Sequence, residues 1–159
     1  MSIDEDIAEV LAKHHPGPPV TADQLAAWER ENGIRLDAEL RKFYLAANGA
    51  SLFRQVDSPY RILPLEEIVP GRVAIFGPRP PGPEERGRIR ECPANVFAFV
   101  DVQDGNYAGF EASPREPYPV VDIFHETWPK EQDIIALSFG EFLRGALDSA
   151  GQGLFWIQD

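Results

Sequence analysis

His125, in the stretch VVDIFHETW, stands between Asp122 and Glu126. A histidine beside carboxylates is the raw material of a proton relay or a metal site. Either use needs further partners, and the surrounding sequence does not locate them. Asp101, Asp104 and Asn106, in DVQDGN, supply closely spaced oxygen ligands and raise the question of a calcium loop. Such a loop requires alternating ligands around a glycine and a glutamate at its twelfth position. Here the spacing is wrong and Glu111 falls too early, whereas a hairpin turn accounts for every residue. His14 and His15 are adjacent, so on a helix they point apart and make a poor metal pair; a solvated helix end suits them. Cys92 has Arg90 two positions earlier, which would lower a thiol pKa, but Pro93 and a flexible loop setting organise no reactive site around it. No G-x-S-x-G, phosphate-binding loop, dinucleotide fingerprint or paired-cysteine site occurs. The expectation is a protein that is not an enzyme and holds no metal or cofactor.

The elements that must carry these residues are well punctuated. Ser2 with Glu5, Thr21 with Gln24, and Ser138 with Glu141 each have the spacing of a capping box. Behind Ser2, Ile3, Ile7, Val10 and Leu11 keep helical spacing until the prolines and glycine of HHPGPP break it. Val20 is placed to staple against Leu25, which with Trp28 forms the stripe of a second helix. Gly33 is a left-handed stop and Asp37 a cap for the next helix, whose buried face is Leu36, Leu40, Phe43, Tyr44 and Ala47.

The middle of the chain changes period. SLFRQV, YRILPL and RVAIF read as short strands, and GPRPPGPEERGRIRECP (77–93) as an exposed Pro/Arg-rich loop. NVFAFVDVQDGNYAGFEA alternates on both sides of Asp104-Gly105 and predicts a hairpin; YPVVDIF predicts a further strand. Phe139, Phe142, Leu143, Ala146, Leu147 and Ala150 form the stripe of a closing helix, and GLFWIQD a terminal strand or cover. Helices, then a strand meander, then a helix predict an α+β fold in one domain over 1–159. Its sheet is mostly antiparallel, of five to six strands, with the N-terminal helices and a C-terminal helix on one side. Leu25, Trp28, Leu36, Leu40, Phe43, Tyr44, Phe97, Phe99, Phe139, Phe142 and Leu143 should share one core.

The formal net charge is −11, and it is uneven: residues 1–90 carry 12 Lys/Arg against 14 Asp/Glu, residues 91–159 only 3 against 12. Nucleic-acid binding is disfavoured, since phosphates demand a basic face. No apolar run reaches the length of a membrane span, the acidic start is not a secretory signal, and a lone cysteine suits a reducing, cytoplasmic setting.

Residues 20–53, VTADQLAAWERENGIRLDAELRKFYLAANGASLF, resemble the N-terminal signature of the SUKH superfamily, which includes fungal regulators of cell-wall assembly and bacterial toxin-immunity proteins. Trp28-Glu29, Gly33, Leu36, Phe43-Tyr44 and Asn48-Gly49 fall in the places of that signature. YRILPLEEI, VFAFVDVQDGNYAGFE and IALSFGEFLRGAL, the last with Ser138, Phe139, Phe142 and Leu143, are similar to the family's later segments. Asp37 departs from the usual proline, a cap standing in for a helix-starting ring, and the insertion from Pro78 to Arg90 is long. The resemblance implies a scaffold built by these motif residues. It also implies a protein partner, a toxin domain such as a nuclease, or alternatively a role as a regulatory adaptor; the acidic second half suits a basic toxin, and PRPPGP offers an adaptor a docking segment. Asp101, Asp104, Asn106, Asp122, His125, Glu126 and Trp128 form the candidate partner surface, acids around an aromatic anchor. The competing reading puts Trp128 in the core and leaves the acids as solvated turn residues.

Overall fold

The computed structural model describes residues 2–54, 57–78, 82–83 and 85–157. Four helices form one layer. Helix α1 (Ile3–Lys13) is capped by Ser2 Oγ, which accepts the Glu5 amide. Helix α2 (Ala22–Asn32) has the full reciprocal box: Thr21 Oγ1 accepts the Gln24 amide at 3.1 Å and Gln24 Oε1 accepts the Thr21 amide at 2.9 Å. It stops at Gly33, whose φ of +68° is a left-handed conformation that favours glycine. Asp37 caps α3 (Ala38–Ala46), and Ser138 caps α6 (Phe139–Asp148). Two short helices, α4 (Gly71–Phe76) and α5 (Arg86–Glu91), lie elsewhere.

Among the described residues eight strands make one antiparallel sheet: β1 (His15–Pro16), β2 (Ala50–Ser51), β3 (Arg61–Ile62), β4 (Val69–Pro70), β5 (Val96–Asp101), β6 (Tyr107–Glu111), β7 (Val120–Ile123) and β8 (Ile134–Ala136). Their order is β1-β2-β3-β5-β6-β7-β8, and β4 also pairs with β5. Ile62 of β3 faces Val100, and Val69 of β4 faces Ala98, so the two short strands share one edge of β5. A 3₁₀ turn, Leu65–Glu67, joins them. The fold is therefore α+β with N-terminal and C-terminal helices, as expected. The strands beyond five or six are two- and three-residue pieces too short to leave an alternating pattern.

The large core lies between the sheet and α1, α2, α3 and α6, and every residue expected to share it is buried there. Aromatic edges knit it together: Phe99 meets Phe110, Phe139 and Phe142 at centroid distances of 5.6 to 5.9 Å. A smaller layer on the opposite face holds Val96, Ala98, Val121, Ile123 and Trp128, with Ala74, Ile75 and Cys92 packed against it.

Three expectations need correction. RVAIF is the helix α4, not a strand, because its contact face has helical spacing: Gly71, Ala74 and Ile75 lie at i, i+3 and i+4. Of SLFRQV only Ser51 is in a strand; Phe53 adopts φ +54° and turns the chain away, while Gln55 and Val56 lie outside the described residues. The 77–93 loop contains α5, although α5 buries no residue; Arg79, Pro80, Pro81 and Glu84, and with them half of the PRPPGP docking segment, lie outside the described residues. Of GLFWIQD, expected as a strand or a cover, the described residues 153–157 form the cover, with Leu154, Phe155 and Trp156 packed on the core. Two stripe positions also fail: Leu11 is 46% exposed, and Ala150 lies past the end of α6 in a left-handed turn.

Candidate functional site

The helical corner that opens the chain is architecture. Glu29 Oε2 accepts the Leu36 amide at 2.8 Å and pairs with Arg41 at 2.7 Å, so one carboxylate ties α2 to the turn and to α3. Tyr44 donates its hydroxyl to the Leu63 carbonyl at 2.7 Å, and full burial pushes its pKa far up. Asn48 Oδ1 accepts the Leu65 amide at 2.7 Å while its Nδ2 donates to Glu66 at 3.0 Å. Gly49 has φ +79°, and a Cβ there would lie 2.6 Å from the Ile62 carbonyl oxygen; no other residue fits that crossing. The motif thus fastens α3 to the strand edge.

The candidate partner surface is built by the β5–β6 connection and the turn after β7. Asp101 Oδ1 accepts the Gln103 amide and Asp104 Oδ1 the Asn106 amide, at 2.7 and 3.1 Å, so both acids shape their own turn. Gly105 takes φ +91°. Asn106 Oδ1 then accepts the His125 backbone N–H at 2.8 Å, which fixes the amide's orientation, since that N–H can only donate. His125 Nδ1 lies 2.7 Å from the same oxygen and so carries a proton. His125 Nε2 is 3.9 Å from Glu126 and open to solvent. From the other side Arg88 of α5 donates to the carbonyls of His125 and Trp128, at 2.7 and 2.8 Å. This anchor escaped the sequence reading, because a loop arginine 40 residues away carries no local signal.

Two of the expected surface residues lie elsewhere. Trp128 is fully buried in the smaller core layer and is no exposed anchor; the core alternative is the correct one for it. Asp122 sits on the helix-side face, aligned with Ala108 and Val100, whereas Asp101 aligns with Tyr107 and Ile123 on the opposite face. The two carboxylates therefore project to different sides of the sheet. Burial raises the Asp122 pKa, and the like charges of Asp133 and Asp104 raise it further. The Trp156 indole opposes this only weakly, being out of hydrogen-bond geometry. Asp104, Asn106, His125 and Glu126 remain together at one end of the sheet.

The other candidate groups are structural. His14 is half-buried rather than solvated: its Nδ1 accepts the Phe53 amide at 3.1 Å, its ring meets Phe53 edge-on, and burial lowers its pKa. Burial raises the Cys92 pKa against the pull of Arg88 and Arg72, the reverse of an activated thiol. Burial also raises Asp6, which ion-pairs at 2.6 Å with Arg144 and so joins α1 to α6. Among the described residues no group of three or more His, Cys, Asp or Glu is placed to hold a metal ion, and no helix is long and apolar enough to cross a membrane.

A scaffold fastened by Trp28-Glu29, Gly33, Asn48-Gly49 and the Ser138-capped helix agrees with the family comparison, in which the SMI1 / KNR4 family (SUKH-1) matches residues 19–145. The chain belongs to that family. No curated protein matches it closely enough to count as a relative. The match covers the corner, the sheet and most of α6, while α1 and the terminal cover lie outside it. SUKH-1 membership supports an immunity or regulatory module. Asp37 stands in the position where the resemblance expects proline, and the corner is formed all the same, by the cap.

Proposed function

We propose that this SUKH-1 chain acts as one non-enzymatic, cytoplasmic domain, an immunity protein that binds a basic toxin domain such as a nuclease and neutralises it. Family membership is the observation that carries the reading. The surface chemistry supports it: 12 acids against 3 bases in residues 91–159, with Asp104, His125 and Glu126 exposed beside Asn106 at the hairpin tip. A toxin that cleaves nucleic acid presents a basic cleft to phosphates, and an acidic rim is complementary to it. Asn106 and Arg88 hold that rim from two sides, so it meets a partner already ordered. Asp101 and Asp122 contribute to the field from the two faces.

Co-expression is the test. If a toxin is encoded beside this gene, cells carrying it should survive when the chain is present and die without it, and the purified pair should form a stable complex. Survival without the chain, or no complex, rejects the reading for that pair. A regulatory adaptor of the kind the family also contains is the second reading, and recovery of endogenous signalling proteins in place of a toxin would select it.

A further inference from the structure

A cleft of about 510 Å³ lies between α2 and the 3₁₀ turn. Its floor is apolar, formed by the buried Trp28, Leu65 and Ile68. Its rim carries Glu31 and Glu66 and no Lys or Arg. Among the described residues neither carboxylate has a cationic side chain within ion-pair distance. Asn32 Nδ2 donates to the Trp28 carbonyl at 2.9 Å, which leaves its amide oxygen as a further acceptor. Asn48, which also lines the cleft, is committed at both ends of its amide, to Leu65 and to Glu66.

We propose that this cleft receives an arginine side chain of a protein partner. The recognition follows from the two kinds of surface. Arginine has an aliphatic stem that gains from an apolar floor, and a head with five donors and no acceptor, suited to carboxylates and an amide oxygen around it. A neutral apolar residue would strip water from both carboxylates without supplying a cation, and an acidic one would be repelled. Trp28 and Asn48 then serve twice, as motif residues that fasten the corner and as parts of the cleft. The inference rests on the reading of the chain as a protein-binding module, but it places a contact away from the hairpin-tip rim.

Nα-acetyl-arginine N-methylamide is the probe, titrated into labelled protein while proton–nitrogen correlation spectra are recorded. Shifts should be confined to Trp28, Asn32, Asn48, Leu65 and Glu66 and their neighbours. The Glu31→Gln/Glu66→Gln variant, which keeps the Asn48 contact and the fold, should bind about tenfold or more weakly. The norleucine counterpart, with a similar stem and no charge, should produce no saturable shift. Shifts that are absent, spread over the whole acidic surface, unchanged in the double variant or equal for norleucine would overturn the proposal. The probe is used without any toxin, so a negative result leaves the co-expression test standing.

Discussion

The carboxylate of Asp37 caps its own helix and reaches a residue 81 positions away: Oδ1 accepts the Leu40 amide at 2.9 Å and Oδ2 accepts the Tyr118 amide at 2.7 Å. Asp37 is 1% exposed, so neither donor has water as a substitute. Replacing it with alanine removes a cap, worth about 1 kcal/mol, and strands a buried N–H at about 1–3 kcal/mol. Asp37→Ala should therefore lose roughly 2–4 kcal/mol in urea unfolding. Asp37→Asn keeps one acceptor oxygen but turns its NH₂ toward the other donor, so it should lose less than alanine while still stranding one N–H, at about 1–3 kcal/mol. Equal losses would mean that the acceptor oxygen kept in Asp37→Asn contributes nothing.

The bond to Tyr118 also marks where the sequence stops being informative. Asp37 is legible as a cap, because capping is a three-residue relation, and so are Ser2, Thr21, Gly33 and Ser138. Phe43, Phe99 and Phe142 are legible as core, because helical and strand periods report a buried face directly. The partner of Asp37 across the sheet is not, since a side chain-to-backbone bond over 81 positions leaves no local pattern. Trp128 fails for a related reason. Its burial depends on α4, whose apolar content reads as a strand although the spacing of Gly71, Ala74 and Ile75 carries the helical signal. Misreading that one element turns a core residue into a surface anchor.

Gly71 tests this packing. A Cβ there would lie 2.8 Å from Trp128 Cη2 and 3.1 Å from Cζ2. Gly71→Ala must push a buried indole aside and should cost about 1–3 kcal/mol, with a shifted tryptophan emission. At Gly87, also in a short helix, an added methyl would meet nothing within 4 Å. Gly87→Ala should be neutral or stabilise by about 0.5–1 kcal/mol, through the unfolded state. A neutral Gly71→Ala would contradict the Trp128 contact.

His14 sets one component of the pH dependence. Its folded pKa is lowered from 6.5, chiefly by burial, and Nδ1 can accept the Phe53 N–H only while unprotonated. The unfolded chain therefore takes up this proton first as pH falls. The His14 contribution is full above about pH 6.5 and is lost as pH falls through the lowered value. The stability advantage of the wild type over His14→Leu should accordingly shrink between about pH 7.5 and pH 5. An advantage independent of pH would show that His14 acts only through packing.

Asp122 has the opposite sign. Its folded pKa is raised above 3.8, by burial and then by Asp133 and Asp104, so ionisation opposes folding. The penalty appears as pH rises from 3.8 through the raised value and is complete above it. Asp122→Asn should be at least as stable as the wild type at neutral pH, and its advantage should disappear near about pH 3.5. A variant less stable at neutral pH would indicate that the charge is compensated in the native fold.

The rim at the hairpin tip yields the prediction closest to function. Asp104 and Glu126 are exposed and flank the bond between Asn106 and His125, so their charge can change while that bond holds the turn. Asp104→Asn with Glu126→Lys removes two acids from the rim and adds one base. Glu5→Gln with Glu9→Lys makes the same change of charge on α1, remote in sequence from the rim. If the rim meets a basic toxin, the first pair should weaken the complex by about ten- to a hundredfold, with slower association and a smaller dependence on salt. The α1 pair should change affinity only slightly, because net charge shifts equally in both and only the local field differs. Comparable losses from the two pairs would mean that the acidity acts as a diffuse field and that specific contacts lie on another surface, the cleft beside Trp28 among them. Loss confined to the first pair, at unchanged thermal stability, would place the toxin on the hairpin tip.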